Sequence, residues 1–163
     1  MRLPKAVESE PQAQNLASEL ASRARPLWTG GEVLAPQAAL TPALEDALSS
    51  AHSAGQVVRG LKGAQNALAA EQRGLQNVDS KTGVARGQRV SRLLLLADDG
   101  AERFYRDVES LVRRHEPRVL ALRLSADEHR LGSLLFGPDQ VARLLLVEHK
   151  SAVSTVLLAL IAR

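Results

Sequence analysis

Four consecutive leucines, Leu93 to Leu96, sit inside the stretch QRVSRLLLLADD, Gln88 to Asp99. The run shows neither helical nor alternating periodicity. It is entered through Arg89 and Arg92 and left through two aspartates, Asp98 and Asp99. A short, continuously apolar run bounded in this way predicts a β-strand buried on both faces. Such a strand needs helices above and below it, so this one segment already argues for an α/β layered domain.

The flanking sequence supplies those helices. Thr41-Pro42 opens a helix as N-cap and first-turn proline, with Glu45 and Asp46 at its positive end. Leu44, Ala47, Leu48 and Ala51 form its apolar stripe up to about Ser53. Gln56 to Arg59 is short and β-like, and Gly60 turns the chain into a second helix, about Leu61 to Gln72. Gly74 to Gly87 reads as a loop that includes Lys81 and Arg86. After the leucine strand, Asp99 and Glu102 have capping-box spacing before a helix running to about His115. Val119 to Leu124 is a strand, and Ser125 to Glu128 is a second capping box. The helix it starts ends at Gly137-Pro138. Val141 to Val147 is the last strand, and Ser151 begins the final helix. Helices thus cover both faces of a sheet of about four strands. Residues 1–40 carry Pro4, Pro11, Pro26 and Pro36 without sustained periodicity, and read as a weakly ordered arm ahead of a domain over 41–163. Trp28, the only tryptophan, is expected to anchor that arm by packing; base stacking is the alternative.

Composition removes several function classes. There is no cysteine, which excludes thiol catalysis and cysteine-ligated metals, and fits a cytoplasmic location. No segment is long and apolar enough to span a bilayer as a helix, so no membrane partner is expected. Neither GxGxxG nor GxxxxGK[ST] occurs, and no serine lies in a GxSxG elbow. Asp98 and Asp99 lie where open α/β sheets place active sites, but no third acid at fixed spacing completes a metal site. His52, His115, His129 and His149 form no ligand pair. The weak polar cluster Glu148-His149-Lys150, with Asp98 and Asp99, is the most that an enzyme reading can offer. No catalytic residue, cofactor, metal or small-molecule substrate is therefore expected.

Charge points elsewhere. Residues 1–56 carry four basic and six acidic side chains; residues 57–163 carry seventeen basic and twelve acidic. Most of the cations are arginine, which binds phosphate through a planar fork and stacks on bases. Gly60-Leu61-Lys62-Gly63, next to Arg59, is a glycine turn into a helix N-terminus, a setting that favours a phosphate.

The strings AGQVVRGLKGAQNAL (Ala54 to Leu68), RLLLLADD (Arg92 to Asp99), VLALRLSADEHRLGSLLFG (Val119 to Gly137) and VARLLLVEHKSAV (Val141 to Val153) resemble the kink-turn RNA-binding ribosomal protein family, also called L-seven-Ae. His129-Arg130-Leu131-Gly132 stands in place of that family's E-E-L-G helix. The resemblance spans about residues 41–163. It implies a three-layer α/β/α sandwich with a small mixed sheet, no catalysis, and binding of structured RNA, kink-turn-like or ribosomal. By this likeness one lip of the site is Arg59, Gly60, Lys62, Gly63 and Asn66. The other is Phe136, Gly137, Gln140 and Arg143, with Arg86, Arg89 and Arg92 extending the contact. The chain departs from the family at Lys62-Gly63, where archaeal and eukaryotic members place Asn-Glu, and at Asn66, where they place Lys. A protein-interaction module of the same fold without RNA affinity is the alternative that these departures leave open.

Overall fold

A computed structural model describes residues 1–82 and 88–161, the side chains of 76–82 excepted. Leucines 93–96 form the central strand of an α/β domain. The strands are β1 (Ala24–Pro26), β2 (Leu34–Ala38), β3 (Val57–Arg59), β4 (Arg92–Leu96), β5 (Val119–Leu124) and β6 (Leu144–Val147), in the order β1-β2-β5-β4-β6-β3. β4 pairs in parallel with β5, from Arg92↔Val119 to Leu96↔Arg123. On its other side it pairs antiparallel with β6, from Leu93↔Val147 to Leu96↔Leu144.

The leucines alternate between two cores. Leu93 and Leu95 pack with Leu122, Leu124, Leu145 and Val147 under α1 (Lys5–Glu8), α2 (Leu16–Ser22), α3 (Pro42–Ser53), α6 (Glu128–Phe136) and α7 (Lys150–Ala159). Leu94 and Leu96 pack with Leu144 and Leu146 under α4 (Leu61–Thr82) and α5 (Glu102–Arg114), against Ala64, Leu68, Val108 and Leu111. All four are fully buried. Each such leucine contributes about 1.5–3 kcal/mol of apolar transfer free energy, which is why an unpatterned run serves as a strand here. Among the described residues no helix is long and apolar enough to cross a membrane.

The sheet has six strands where about four were expected, and the additional two come from the segment expected to be an arm. Residues 1–40 are built into the domain. β2 runs parallel to β5 through Gln37↔Arg123 and Ala38↔Leu124, and β1 covers the edge of β2. Leu3, Val7, Leu16 and Leu20 are buried in the first core, and Leu27 and Ala35 in the second. The elements are too short for visible periodicity, but Leu16 and Leu20 are one helical turn apart and face inward together. Pro36 is tolerated because β2 bonds to β5 only from Gln37 onward.

A buried carboxylate fastens this segment. Glu109 on α5 accepts from Trp28 Nε1 at 3.1 Å and from the backbone N–H groups of Glu32 at 2.8 Å and Val33 at 2.7 Å. The Arg106 guanidinium lies 4.4 Å from the centre of the Trp28 ring. Burial pushes the Glu109 carboxyl up, but the Val33, Glu32 and Trp28 donors, with Arg113, hold it below the usual carboxylate range. Trp28 is a packing anchor, as its sequence context suggested.

Helix ends depart from expectation in four places, the first being α6, whose N-cap is Asp127, accepting from the Arg130 N–H at 2.7 Å, and not Ser125. α4 does not stop near Gln72 but continues to Thr82, so much of the expected loop is helical; residues 83–87, including Arg86, lie outside the described residues. Asp99 does not cap α5, whose N-cap is Ala101. Its carboxylate instead accepts from the Glu128 N–H at 3.0 Å, at the start of α6. His149, rather than Ser151, caps α7. Thr41 caps α3 as expected, accepting from the Leu44 N–H.

His115 ends α5 and is buried, with neither ring nitrogen hydrogen-bonded among the described residues. Burial, and secondarily Arg114, lowers its pKa from the ordinary 6.5. The unfolded chain therefore binds the proton first as pH falls, and stability declines below about pH 6.5. Replacing His115 with Phe should flatten the melting temperature between pH 7.5 and 5. An unchanged slope would assign the acid sensitivity to other groups. Leu20→Ala should cost about 2–5 kcal/mol in chemical denaturation, as for a core leucine. A cost near zero would restore the arm reading.

Candidate functional site

β3 is the edge strand next to β6, with Arg59 opposite Leu145. Gly60 follows at φ +88°, a conformation that favours glycine. Its N–H donates to the Leu144 carbonyl at 2.8 Å, and its own carbonyl accepts from the Ala64 N–H at 3.0 Å. One residue thus closes the sheet ladder and starts a helix of 22 residues. Lys62 and Asn66 are exposed on the first turns. Gly63 faces inward, where an added Cβ would lie 3.0 Å from Val58 Cγ1.

The other lip is the turn from α6 to β6. α6 ends at Phe136 and is followed by Gly137 at φ +103° and Asp139 at φ +65°. The Ala142 N–H returns to the Glu128 carbonyl at 2.8 Å, folding the turn back along α6. This requires glycine at 132: a Cβ there would sit 2.4 Å from Val141 Cα and 2.5 Å from the Gln140 carbonyl oxygen. Gly132 belongs to the H-R-L-G string singled out in the sequence, and its physical role is this close approach.

Arg59 joins the two lips. It donates through Nη2 to the Val141 carbonyl at 2.5 Å and to Gln140 Oε1 at 3.3 Å, while its guanidinium lies 4.5 Å from the centre of the Phe136 ring. His52 meets the same ring edge-on, with centroids 5.0 Å apart. Nine expected site residues thus gather at one edge: Arg59, Gly60, Lys62, Gly63, Asn66, Phe136, Gly137, Gln140 and Arg143. Their roles differ. Arg59 spends donors on the opposite lip, Phe136 is half-buried beneath it, and Arg143 pairs with Glu128 at 2.6 Å while staying exposed. Arg59, Lys62, Asn66, Gln140 and Arg143 are all exposed, Arg59 with its guanidinium turned to the opposite lip.

Arg89 and Arg92 are not part of this edge. Arg59 lies level with Leu145 and hence with Leu95, whereas Arg92 is at the opposite end of β4. Arg92 is held by Glu71, with Nε to Oε2 at 3.0 Å and Nη2 to Oε1 at 3.0 Å. Burial lowers its pKa, and Glu148 partly opposes this. Arg89 donates to the Leu3 carbonyl at 2.9 Å and pairs with Glu8 at 2.8 Å. An Arg-rich loop was expected to extend the contact of Arg59, but β3 aligns with the far half of β4. Nothing local in the chain marks Glu71 and Arg118 as partners, because the pairing joins a helix to two strand ends.

At the end of β4 the contacts of Asp99 and of the Asp98 backbone are structural. Asp99 binds the start of α6, and the Asp98 carbonyl accepts from Arg123 Nη2 at 3.0 Å. Tyr105 Oη donates to the Ala97 carbonyl at 2.6 Å and accepts from the Gly100 N–H at 3.1 Å, which fixes the turn. His149 is engaged with Ser151 at the start of α7. Among the described residues no group of three or more His, Asp or Glu is placed to hold a metal.

No protein-family model matches the chain, and no curated protein shows significant sequence similarity to it. Gly132→Ala should push Gln140 and Val141 off α6, costing about 1–3 kcal/mol as overpacking does. Amide spectra would show changes concentrated at 137–143 and Arg59. A substitution silent in both stability and spectra would contradict the close approach.

Proposed function

We propose that this chain is a non-catalytic RNA-binding protein of the kink-turn ribosomal type, a three-layer α/β/α sandwich that grips structured RNA at the β3–α4 edge. The supporting observation is the Arg59 link, which makes one continuous surface from two segments far apart in sequence. The start of a long helix offers unpaired backbone N–H groups and the positive end of its dipole to a phosphate. Gly60 and Gly137 leave open space where a backbone can approach, since a Cβ at either would meet nothing within 4 Å. Lys62 and Arg143 supply charge, and Asn66 and Gln140 supply neutral donors and acceptors.

In this reading Arg59 positions the lips and Phe136 supports Arg59; neither is the main RNA contact. Gly63 packs against Val58 and presents no side chain to a base edge, so recognition rests on backbone shape more than on base identity. The protein is expected to work in the cytoplasm within a ribonucleoprotein particle. A second reading, a protein-interaction module on the same edge, is favoured by one observation: Val141, beside Gln140, is 46% exposed.

RNA affinity should fall steeply with salt between roughly 50 and 200 mM. Lys62→Ala should weaken binding about equally across RNA sequences and reduce the salt slope by about 1. Filter binding on kink-turn and plain-duplex RNAs would measure both. Salt-independent or absent binding, with Val141→Asp abolishing capture of a protein partner, would favour the second reading.

A further inference from the structure

The opposite end of the sheet holds a cavity of about 600 Å³ that owes nothing to the Arg59 edge. Its walls come from the N-terminal segment, α4, the start of β4, the residue preceding β5, and α7. Six cations line it: Arg2, Lys5, Arg89, Arg92, Arg118 and Lys150. Glu71 is the only carboxylate in the described lining, and Arg92 and Arg118 share it. Glu8 neutralises Arg89 from the rim.

Arg92 and Arg118 share one partly buried carboxylate, with the charge of Glu148 also acting on Arg92, so the six cations of the lining still outnumber the acids near them. Burial lowers the pKa of both Arg92 and Arg118, and Arg118 Nη1 is buried with no hydrogen-bond partner among the described residues. Charges taken out of water are costly unless paired, so an arrangement with surplus guanidinium is completed by an anion. Guanidinium forks bind phosphate and carboxylate oxygens bidentately, and the surplus of positive charge favours the more highly charged phosphate. The volume falls within the range of small-molecule sites and accommodates a nucleotide-sized compound.

We propose that this cavity binds a small phosphate-bearing ligand, gripped by Arg92 and Arg118 at its floor and by Lys5 and Lys150 at its mouth. The proposal stands apart from the RNA reading, since the two surfaces lie at opposite ends of β4. Three of the elements that form the cavity meet only in the folded chain, and the ligand would tie the N-terminal segment to α7.

Sodium pyrophosphate is the probe, compared with potassium chloride at equal ionic strength. Melting temperature should rise saturably with pyrophosphate and not with chloride. Lys5 and Lys150 are exposed, so the double variant Lys5→Ala/Lys150→Ala should keep the ligand-free melting temperature and lose roughly tenfold or more in apparent affinity. Lys62→Ala should leave the pyrophosphate response intact, whether or not RNA binds. No rise beyond that of chloride, or an equal rise in the double variant, would overturn the proposal. So would a double variant that loses RNA affinity in a protein with no saturable pyrophosphate response, because the cations would then belong to an RNA track.

Discussion

The burial of β4 on both faces is the constraint on which the rest of the structure depends. Leucine side chains leave a strand alternately up and down, so Leu93 and Leu95 need one helical layer and Leu94 and Leu96 need another. α1, α2, α3, α6 and α7 supply one layer and α4 and α5 the other, while β5 and β6 pair with the two edges of the strand. The strand also sets the two ends of the molecule. Its carboxyl half lies level with Arg59 and the glycine turn, and its amino end carries Arg92 and the cationic cavity.

Much of this was legible in the sequence wherever the signal was local. Thr41-Pro42, the Val119 to Leu124 strand and the Gly137 stop depend on neighbours a few residues away, and each appears as expected. The misreadings share a cause. Asp99 and Glu102 have capping-box spacing, yet Asp99 binds an N–H 29 residues further along, because the β4 and β5 ends bring α6 beside it. The prolines of residues 1–40 looked like breaks, but the segment is held by Glu109, some eighty residues away. α4 outran its apolar stripe: Gly74 suggested a loop, and the helix continues through it.

The candidate edge follows the same division. The turn at Gly60 and the turn at Gly137 each carry their own glycine signature, so both could be named from sequence. That they form one site was expected only through the family likeness, since nothing local to either turn shows that β3 pairs with β6 and places Arg59 over Phe136. Likewise Gly132 reads as an ordinary helical glycine until the backbone of Val141 is seen against it. Arg89 and Arg92, expected to extend the contact from an Arg-rich loop, instead face partners at the other end of β4, Glu8 and Glu71.

Whether the edge joined by Arg59 meets RNA is decided by ultraviolet crosslinking of the folded protein in its own cells, with mapping of the crosslinked peptides. A few structured RNAs, attached within residues 59–66 and 136–143, are expected. A folded protein that yields no RNA above background, or crosslinks confined to the Arg92 end, would contradict that expectation.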